Sequence, residues 1–295
     1  MTEPRPEPTV GQTISSATSE LRAAGIASPR LDAEVLLCSV LRRTRTQLAI
    51  DPEIVLTPDQ QEAFRSSIRR RLQGESVAYI TGTREFMGHN FHVGPGVLVP
   101  RPETELLVER AVAVIDRLWR GVPIRVLDLC TGSGAIALSL ALLTDPALVS
   151  ITGCDISTDA LAYAKGNRQE LGLSARVELV EGDLLSWTRG PWDVILTNPP
   201  YLTPTQVDGN PDLAAEPRLA LDGGPGGLKV IERILDQSAA RVAQQFAMMI
   251  EIDPSQASTV ASLAGARFPG ARVMIVDDLS GRARFVSIER QESPS

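Results

Sequence analysis

Residues 125–143 read RVLDLCTGSGAIALSLALL, and the order of residue types in this stretch decides the architecture. The run from Arg125 to Cys130 is largely apolar, as a strand covered on both faces must be. Gly132 and Gly134 then permit a tight turn, and the apolar run from Ala135 predicts a helix. A strand that feeds a helix through a glycine turn is the start of a crossover to a parallel neighbour.

Working toward the C-terminus, the same alternation repeats. VSITGCDI, RVELVEGD, WDVILTN, FAMMIEID, ARVMIVDD and ARFVSIE read as strands, and TDALAYAKGNRQEL and LKVIERILDQSAARVA read as helices between them. A mostly parallel sheet with helices on both faces is the expected fold, an α/β Rossmann-like sheet. The last two strands are joined only by LSGR, too short for a crossover, so the final strand should run antiparallel.

Working toward the N-terminus, PRPETELLVERAVAVIDRLWRG opens this domain with Pro102 at a helix start, Glu103 and Glu105 in the first turn, and Gly121 beyond the end. Before it, residues 81–100 mix apolar positions with Gly88, Asn90, Gly94, Pro95 and Gly96 and read as a β-hairpin linker. Residues 1–80 follow helical spacing, with Ser28 as a helix cap, Pro29 at the first helical position, and Leu31, Val35 and Leu36 on one side. The expected organisation is a helical-bundle domain over 1–80, the linker over 81–100, and the catalytic domain over 101–295.

Composition narrows the function. At 295 residues, 43% hydrophobic and 22% charged, the chain is an ordinary globular protein, and no apolar run approaches the roughly 20 residues of a membrane span. The start MTEPRPEPTVGQ lacks the form of a secretory signal and reads as a solvated end. Cys38, Cys130 and Cys154 are odd in number and sit in apolar segments, so reduced thiols and a cytoplasmic location are expected. A net charge of -7 and a pI near 5.1 argue against direct, non-specific or sequence-specific nucleic-acid binding. Arg42, Arg43, Arg45 and Arg69 to Arg71 are the basic clusters, read as a solvated helix face or as a docking patch. His89 and His92 have no third ligand near them in sequence, so no metal is expected.

Ligands of open α/β sheets lie beyond the carboxyl ends of the strands. Taken alone, Gly-x-Gly at Gly132 and Gly134 is equally an ordinary strand-to-helix turn. Asp155 ends the second strand 21 residues beyond Gly134, placed for ribose hydroxyls, which both nicotinamide cofactors and S-adenosylmethionine carry. Asp128 completes Asp-x-x-x-Gly-x-Gly, where a carboxylate can orient the loop and receive an ammonium group. Asp183 at the third strand end can accept from an adenine amine. These acids favour S-adenosylmethionine. The fourth strand delivers Asn198-Pro199-Pro200-Tyr201. The Asn198 side-chain oxygen and the Pro199 carbonyl can accept both hydrogens of a planar nitrogen and aim it at a sulfonium methyl. Proline fixes φ, and Tyr201 can pack on the flat amide or base.

REFMGHNFHVGPGVLVPRPETE, DLCTGSGAIALSLA, CDISTDAL, NPPY, EPRLALDGGPGGL and DLSGRARFV together resemble the bacterial protein-glutamine N5-methyltransferases that modify peptide-chain release factors, the PrmC or HemK family. NPPY alone is shared with adenine-N6 DNA methyltransferases; PRPETE with EPRLALDGGPGGL is more specific. The resemblance implies S-adenosylmethionine as cofactor and, as partner and substrate, class 1 release factors, methylated on the glutamine amide of their Gly-Gly-Gln loop. It places the cofactor at Asp128, Cys130, Thr131, Gly132, Ser133, Gly134, Asp155, Asp183, Leu184 and Asn198. The substrate amide falls at Asn198, Pro199, Pro200 and Tyr201, with Phe91 and Arg101 near the entrance. A monomer is expected. A relative that methylates a ribosomal-protein glutamine is the alternative, with a DNA adenine-N6 methyltransferase and a non-catalytic cofactor-binding module behind it. Two departures stand out. Cys130 occupies a position the family usually gives to Gly, acceptable if its φ is negative, and IEIDPSQ replaces the usual LEIGYDQ.

Overall fold

The computed structural model describes residues 7–291. The expected solvated start at residues 1–6 lies outside the described residues. The chain divides into two compact units, one ending at Gly82 and the other beginning at Thr83.

The first unit is helical: α1 (Val10–Ala23), α2 (Pro29–Leu41), α3 (Arg45–Ile50), α4 (Pro58–Leu72) and α5 (Val77–Thr81). Thr9, Thr44 and Thr57 each close a reciprocal cap with a glutamine three residues on, satisfying amides that the helix start leaves open. Leu21, Leu36, Leu37, Leu56, Phe64 and Ile68 form its core. Ser28 does precede α2, but its hydroxyl donates to Asp32 Oδ1 at 2.7 Å instead of capping the backbone. The buried face of α2 is also rotated from the one expected. Leu31 is 46% exposed, while Asp32 is buried beside Ala33, Leu36 and Leu37. The cause is the Arg71 guanidinium, which donates to Asp32 Oδ2 at 2.7 Å and lets a carboxylate occupy the interior. Arg43, Arg45, Arg69 and Arg70 are likewise paired within the bundle, with Asp51, Glu34, Glu62 and Glu75.

The second unit begins with the hairpin β1 (Thr83–Phe86) and β2 (His89–His92). Met87 and Gly88 turn it, both at positive φ, the twist-matched geometry of a two-residue loop. After α6 (Pro102–Leu118) come β3 (Ile124–Leu129), α7 (Ala135–Leu143), β4 (Val149–Asp155), α8 (Thr158–Glu170), β5 (Val177–Glu181) and β6 (Trp192–Thr197). A short α9 (Pro204–Asp208), α10 (Lys229–Ser238), β7 (Val242–Glu251), α11 (Ala257–Arg267), β8 (Arg272–Asp277) and β9 (Ala283–Arg290) complete it.

Seven strands form one sheet in the order β5-β4-β3-β6-β7-β9-β8. β3 to β7 are mutually parallel; β9 runs antiparallel to both β7 and β8, inserted between them. Successive side chains go to opposite faces. Val126, Val194, Leu196, Ala247 and Met249 meet α6 and α7, whereas Leu127, Leu129, Ile195, Met248 and Ile250 meet α10 and α11. Both faces are apolar, which is why the strands read as continuous runs. The strand order reverses between β3 and β6, so the carboxyl ends of β3, β4, β5 and β6 open on one edge where a ligand can enter.

Candidate active site

At this edge Asp128, fully buried, accepts from the Thr131 hydroxyl at 2.6 Å and from the Ala137 amide at 3.2 Å, both through Oδ2. It holds the loop against the start of α7. Burial pushes its carboxyl up to about 7, and Oδ1 has no partner among the described residues. Asp155 accepts from the Gly132 amide at 2.8 Å and from the Ser157 amide at 2.9 Å. Burial raises its pKa as well.

Cys130 corrects the condition set for it, because its φ is +58°, in the left-handed region. A non-glycine residue there carries backbone strain. The thiol packs against the apolar cluster beneath, and burial holds its pKa well above the usual value. Asp183 faces Arg233, whose guanidinium donates to it at 2.7 Å. Leu184 is buried at φ +53°, and its carbonyl accepts from the Trp187 indole at 2.8 Å.

The loop from Cys130 to Ser133 lines a cleft of about 190 Å³ together with Thr104, Asp155, Asp183, Leu184, Asn198, Pro200 and Arg233, and Asp128 lies beneath that lining. The cleft exceeds the roughly 150 Å³ of a cavity known to admit a small aromatic molecule.

β6 brings in the tetrapeptide. The Thr197 hydroxyl donates to the Leu129 carbonyl at 2.9 Å, locking the end of β6 to the end of β3. Asn198 lines the cleft and donates through Nδ2 to Thr104 Oγ at 3.2 Å. The Thr104 hydroxyl in turn donates to Glu251 Oε2 at 2.8 Å. Tyr201 OH donates to Glu251 Oε1 at 3.5 Å. Burial lifts Glu251 to about 7 and raises the Tyr201 phenol too. Pro199 is buried. The stretch IEIDPSQ still performs a clamp: Gln256 Nε2 donates to the Tyr201 carbonyl at 2.8 Å and the Gly226 carbonyl at 2.9 Å. Asp253 caps the short turn that carries Gln256.

Of the two expected entrance residues, one lies in the core. Phe91 is fully buried, edge-on to Phe86 with ring centroids 6.0 Å apart, in the core beside α6 and α7. An apolar aromatic in a short hairpin is captured by the sheet face, and it does not line the cleft. The Arg101 guanidinium is bound by Glu216, and its charge acts on Tyr201 of the tetrapeptide. Glu216, buried, also accepts from the Val99 amide at 3.1 Å, so it fastens the segment before α6. Sequence reasoning did not single out Thr104, Glu216, Arg233, Glu251 or Gln256. Thr104 and Glu216 stood inside PRPETE and EPRLALDGGPGGL, yet nothing in residue type or period distinguishes a supporting hydrogen-bonding residue from a helix-surface one.

A doubly covered sheet with a glycine loop after β3, acids ending β4 and following β5, and Asn-Pro-Pro-Tyr after β6 defines a Rossmann-like methyltransferase. Residues 12–82 match the family described as the PrmC N-terminal domain, and residues 104–247 match the methyltransferase small domain. A release factor glutamine methyltransferase of Moorella thermoacetica is 40% identical over 96% of this chain and 100% of its own length. One from Bordetella pertussis is 41% identical over 80% of this chain and 86% of its own. The chain belongs to the release factor glutamine methyltransferase family. Among solved structures, the hMettl16 catalytic domain in complex with the MAT2A 3′UTR hairpin covers 81% of this chain and 84% of its own at TM-score 0.55 and 13% identity. A T. thermophilus 16S rRNA N2 methyltransferase, in complex with AdoMet and guanosine, covers 71% and 50% at TM-score 0.50 and 21% identity. At such identities these two speak for the fold alone.

Proposed function

We propose that this protein transfers the methyl group of S-adenosylmethionine to the side-chain amide nitrogen of the glutamine in the Gly-Gly-Gln loop of class 1 release factors. The observation that carries the reading is the pinning of Asn198 through Nδ2 to Thr104. It leaves the side-chain oxygen to accept a hydrogen from a substrate amide at the cleft it lines.

The residues present fit S-adenosylmethionine. Gly132 and Gly134, both at positive φ, allow close approach of the loop backbone. That Asp155, Asp183 and Leu184 line one cleft supports the assignment of Asp155 to ribose hydroxyls and of Asp183 with Leu184 to the adenine. Asp128 Oδ1, buried and unpartnered among the described residues, is an acceptor for an ammonium donor. The bound cofactor supplies an electrophilic methyl on a cationic sulfur.

The amide nitrogen of glutamine is a poor nucleophile because its lone pair is delocalised into the carbonyl. Asn198 Oδ1 and the Pro199 carbonyl accept its two hydrogens, which orients the nitrogen and favours loss of planarity as the new bond forms. Tyr201 packs against the amide plane, and the prolines hold the two acceptors in place before substrate arrives. The nitrogen releases its proton after attack, so no strong base is required.

The helical unit is assigned to holding the release factor, and the enzyme to acting as a monomer in the cytoplasm. Three free cysteines support a reducing compartment. Among the described residues no helix is long and apolar enough to cross a membrane. The test is peptide mass mapping of purified release factors and ribosomal proteins after incubation with the enzyme and S-adenosylmethionine. A one-methyl gain on the Gly-Gly-Gln peptide is expected. A gain confined to a ribosomal-protein peptide would overturn the substrate assignment.

A further inference from the structure

Glu251 ends β7 at 3% exposure, where a carboxylate loses most of its hydration. The nearest compensating charge is weakly engaged. Arg284 acts on it through charge alone, because its guanidinium is bonded to Asp278 at 2.7 Å and to Glu103 at 3.4 Å. Glu103 itself opposes ionisation of Glu251. An apolar residue of similar size would serve stability better at such a position. What the carboxylate does instead is accept from two hydroxyls, Thr104 at 2.8 Å and Tyr201 at 3.5 Å, one leading to each end of the Asn-Pro-Pro-Tyr segment.

The direction of this chain is fixed by proton counting. Above about pH 7 Glu251 is ionised and only accepts, so there Thr104 spends its single hydroxyl hydrogen on Glu251. Its oxygen is then left with lone pairs alone toward Asn198, 3.2 Å away. Asn198 must therefore present its NH₂ to Thr104 and its oxygen away from it. Were the threonine hydroxyl free to rotate, either end of the carboxamide could face the cleft. With NH₂ there, the site would offer a donor to an amide hydrogen that needs an acceptor.

We propose that Thr104 and Glu251 are positioning residues that set the carboxamide of Asn198 with its oxygen toward the methyl-accepting nitrogen. The inference rests on the reading of Asn198 as the acceptor for the substrate amide. It assigns to Thr104, on α6, and Glu251, on β7, a role in the rate of methyl transfer without contact to the reacting atoms. Both are buried in the second unit, Glu251 beneath the cleft and Thr104 at its wall beside Asn198.

Thr104→Val keeps the shape and removes the hydroxyl; Thr104→Ser keeps the hydroxyl. With the full-length enzyme, S-adenosylmethionine and an intact release factor, Thr104→Val is expected to lower kcat about 10- to 100-fold, the scale of lost supporting hydrogen bonds. KM for the release factor and Kd for S-adenosylmethionine are expected to stay within about threefold, and Thr104→Ser should restore most of kcat. Glu251→Gln should lower kcat in the same way, because a carboxamide can turn its own donor toward Thr104. In parallel, the Asn198 side-chain NH₂ is followed by ¹⁵N NMR in asparagine-labelled enzyme without any substrate. Slow hydrogen exchange in the wild type that is lost in Thr104→Val supports the inference. Unchanged exchange, or unchanged kcat in Thr104→Val, overturns it. Absence of any release-factor methylation by the wild type would instead count against the proposed substrate, and the NMR comparison would still decide the orientation of Asn198.

Discussion

Gly227 and Tyr201 approach so closely that a Cβ built on the glycine would stand 1.9 Å from the Tyr201 carbonyl oxygen. The same Cβ would fall 2.3 Å from Gln256 Nε2, which holds that carbonyl. Gly223 repeats the pattern, its Cβ position lying 2.6 Å from the Pro200 carbonyl oxygen. The glycine-rich segment 223–227 is thus the mould against which the backbone of Pro200 and Tyr201 is cast.

Gly227→Ala should therefore displace the catalytic segment. Misplacement of a reacting group by about 1 Å can cost ~10²-fold in rate. We expect a loss of that order in kcat, with the affinity for S-adenosylmethionine much less affected. Gly226→Ala is the control: it has similar left-handed backbone, φ +64°, but its Cβ would meet only the Leu228 side chain at 3.8 Å. Steady-state methylation of a release factor and calorimetric titration with the cofactor measure the difference.

Asn198→Ala removes one of two acceptors for the amide nitrogen. Loss of one preorganised polar group of this kind costs ~10²-fold or more in kcat. Asn198 is only one of many residues along the cleft, so cofactor affinity should stay near the wild-type value. Parallel falls in cofactor affinity and in rate would contradict the role given to Asn198.

At Cys130 the backbone is left-handed, at φ +58°. A side chain there costs about 1–2 kcal/mol relative to glycine. Cys130→Gly should recover part of that, offset by lost packing of the thiol against the cluster of Leu127, Leu129 and Ile195. Cys130→Val, β-branched, should be clearly destabilising. Urea unfolding followed by tryptophan fluorescence can rank the three proteins, since Trp119, Trp187 and Trp192 all lie in the second unit.

Asp128 yields a pH dependence with a definite sign. Its pKa is raised by burial from 3.8 to about 7, so between those values the folded state binds the extra proton. Its contribution to stability is therefore fully present below about pH 4 and is lost as pH rises through 7. Asp128→Asn, which cannot ionise, lacks that loss. The stability of Asp128→Asn relative to wild type should rise from pH 5 to pH 8 in the same fluorescence experiment. A difference that falls over this range would refute the assignment.

Much of the second unit was legible from local chemistry. Strands buried on both faces read as apolar runs, and the short LSGR connection forced the last two strands antiparallel. The insertion of β9 between β7 and β8 was not legible, because either edge satisfies a short connection. Leu31 shows the limit of periodicity, and Phe91 the limit of resemblance. Leu31 lost the buried face of α2 to an aspartate whose partner, Arg71, lies 39 residues away. The resemblance places Phe91 near the entrance, and the sheet face takes it as core.

Local chain chemistry sets which groups can react: the glycine loop, the acids at the strand ends and Asn-Pro-Pro-Tyr, each tied to its strand by a few residues of chain. How those groups are held comes from contacts between distant parts of the chain. The bonds from Glu251 through Thr104 to Asn198, from Gln256 to Tyr201 and from Glu216 to the segment before α6 join residues 55 to 147 positions apart. No local pattern encodes such distant partners. They are selected by packing, which buries these polar groups and leaves each dependent on whatever donor or acceptor the fold brings beside it.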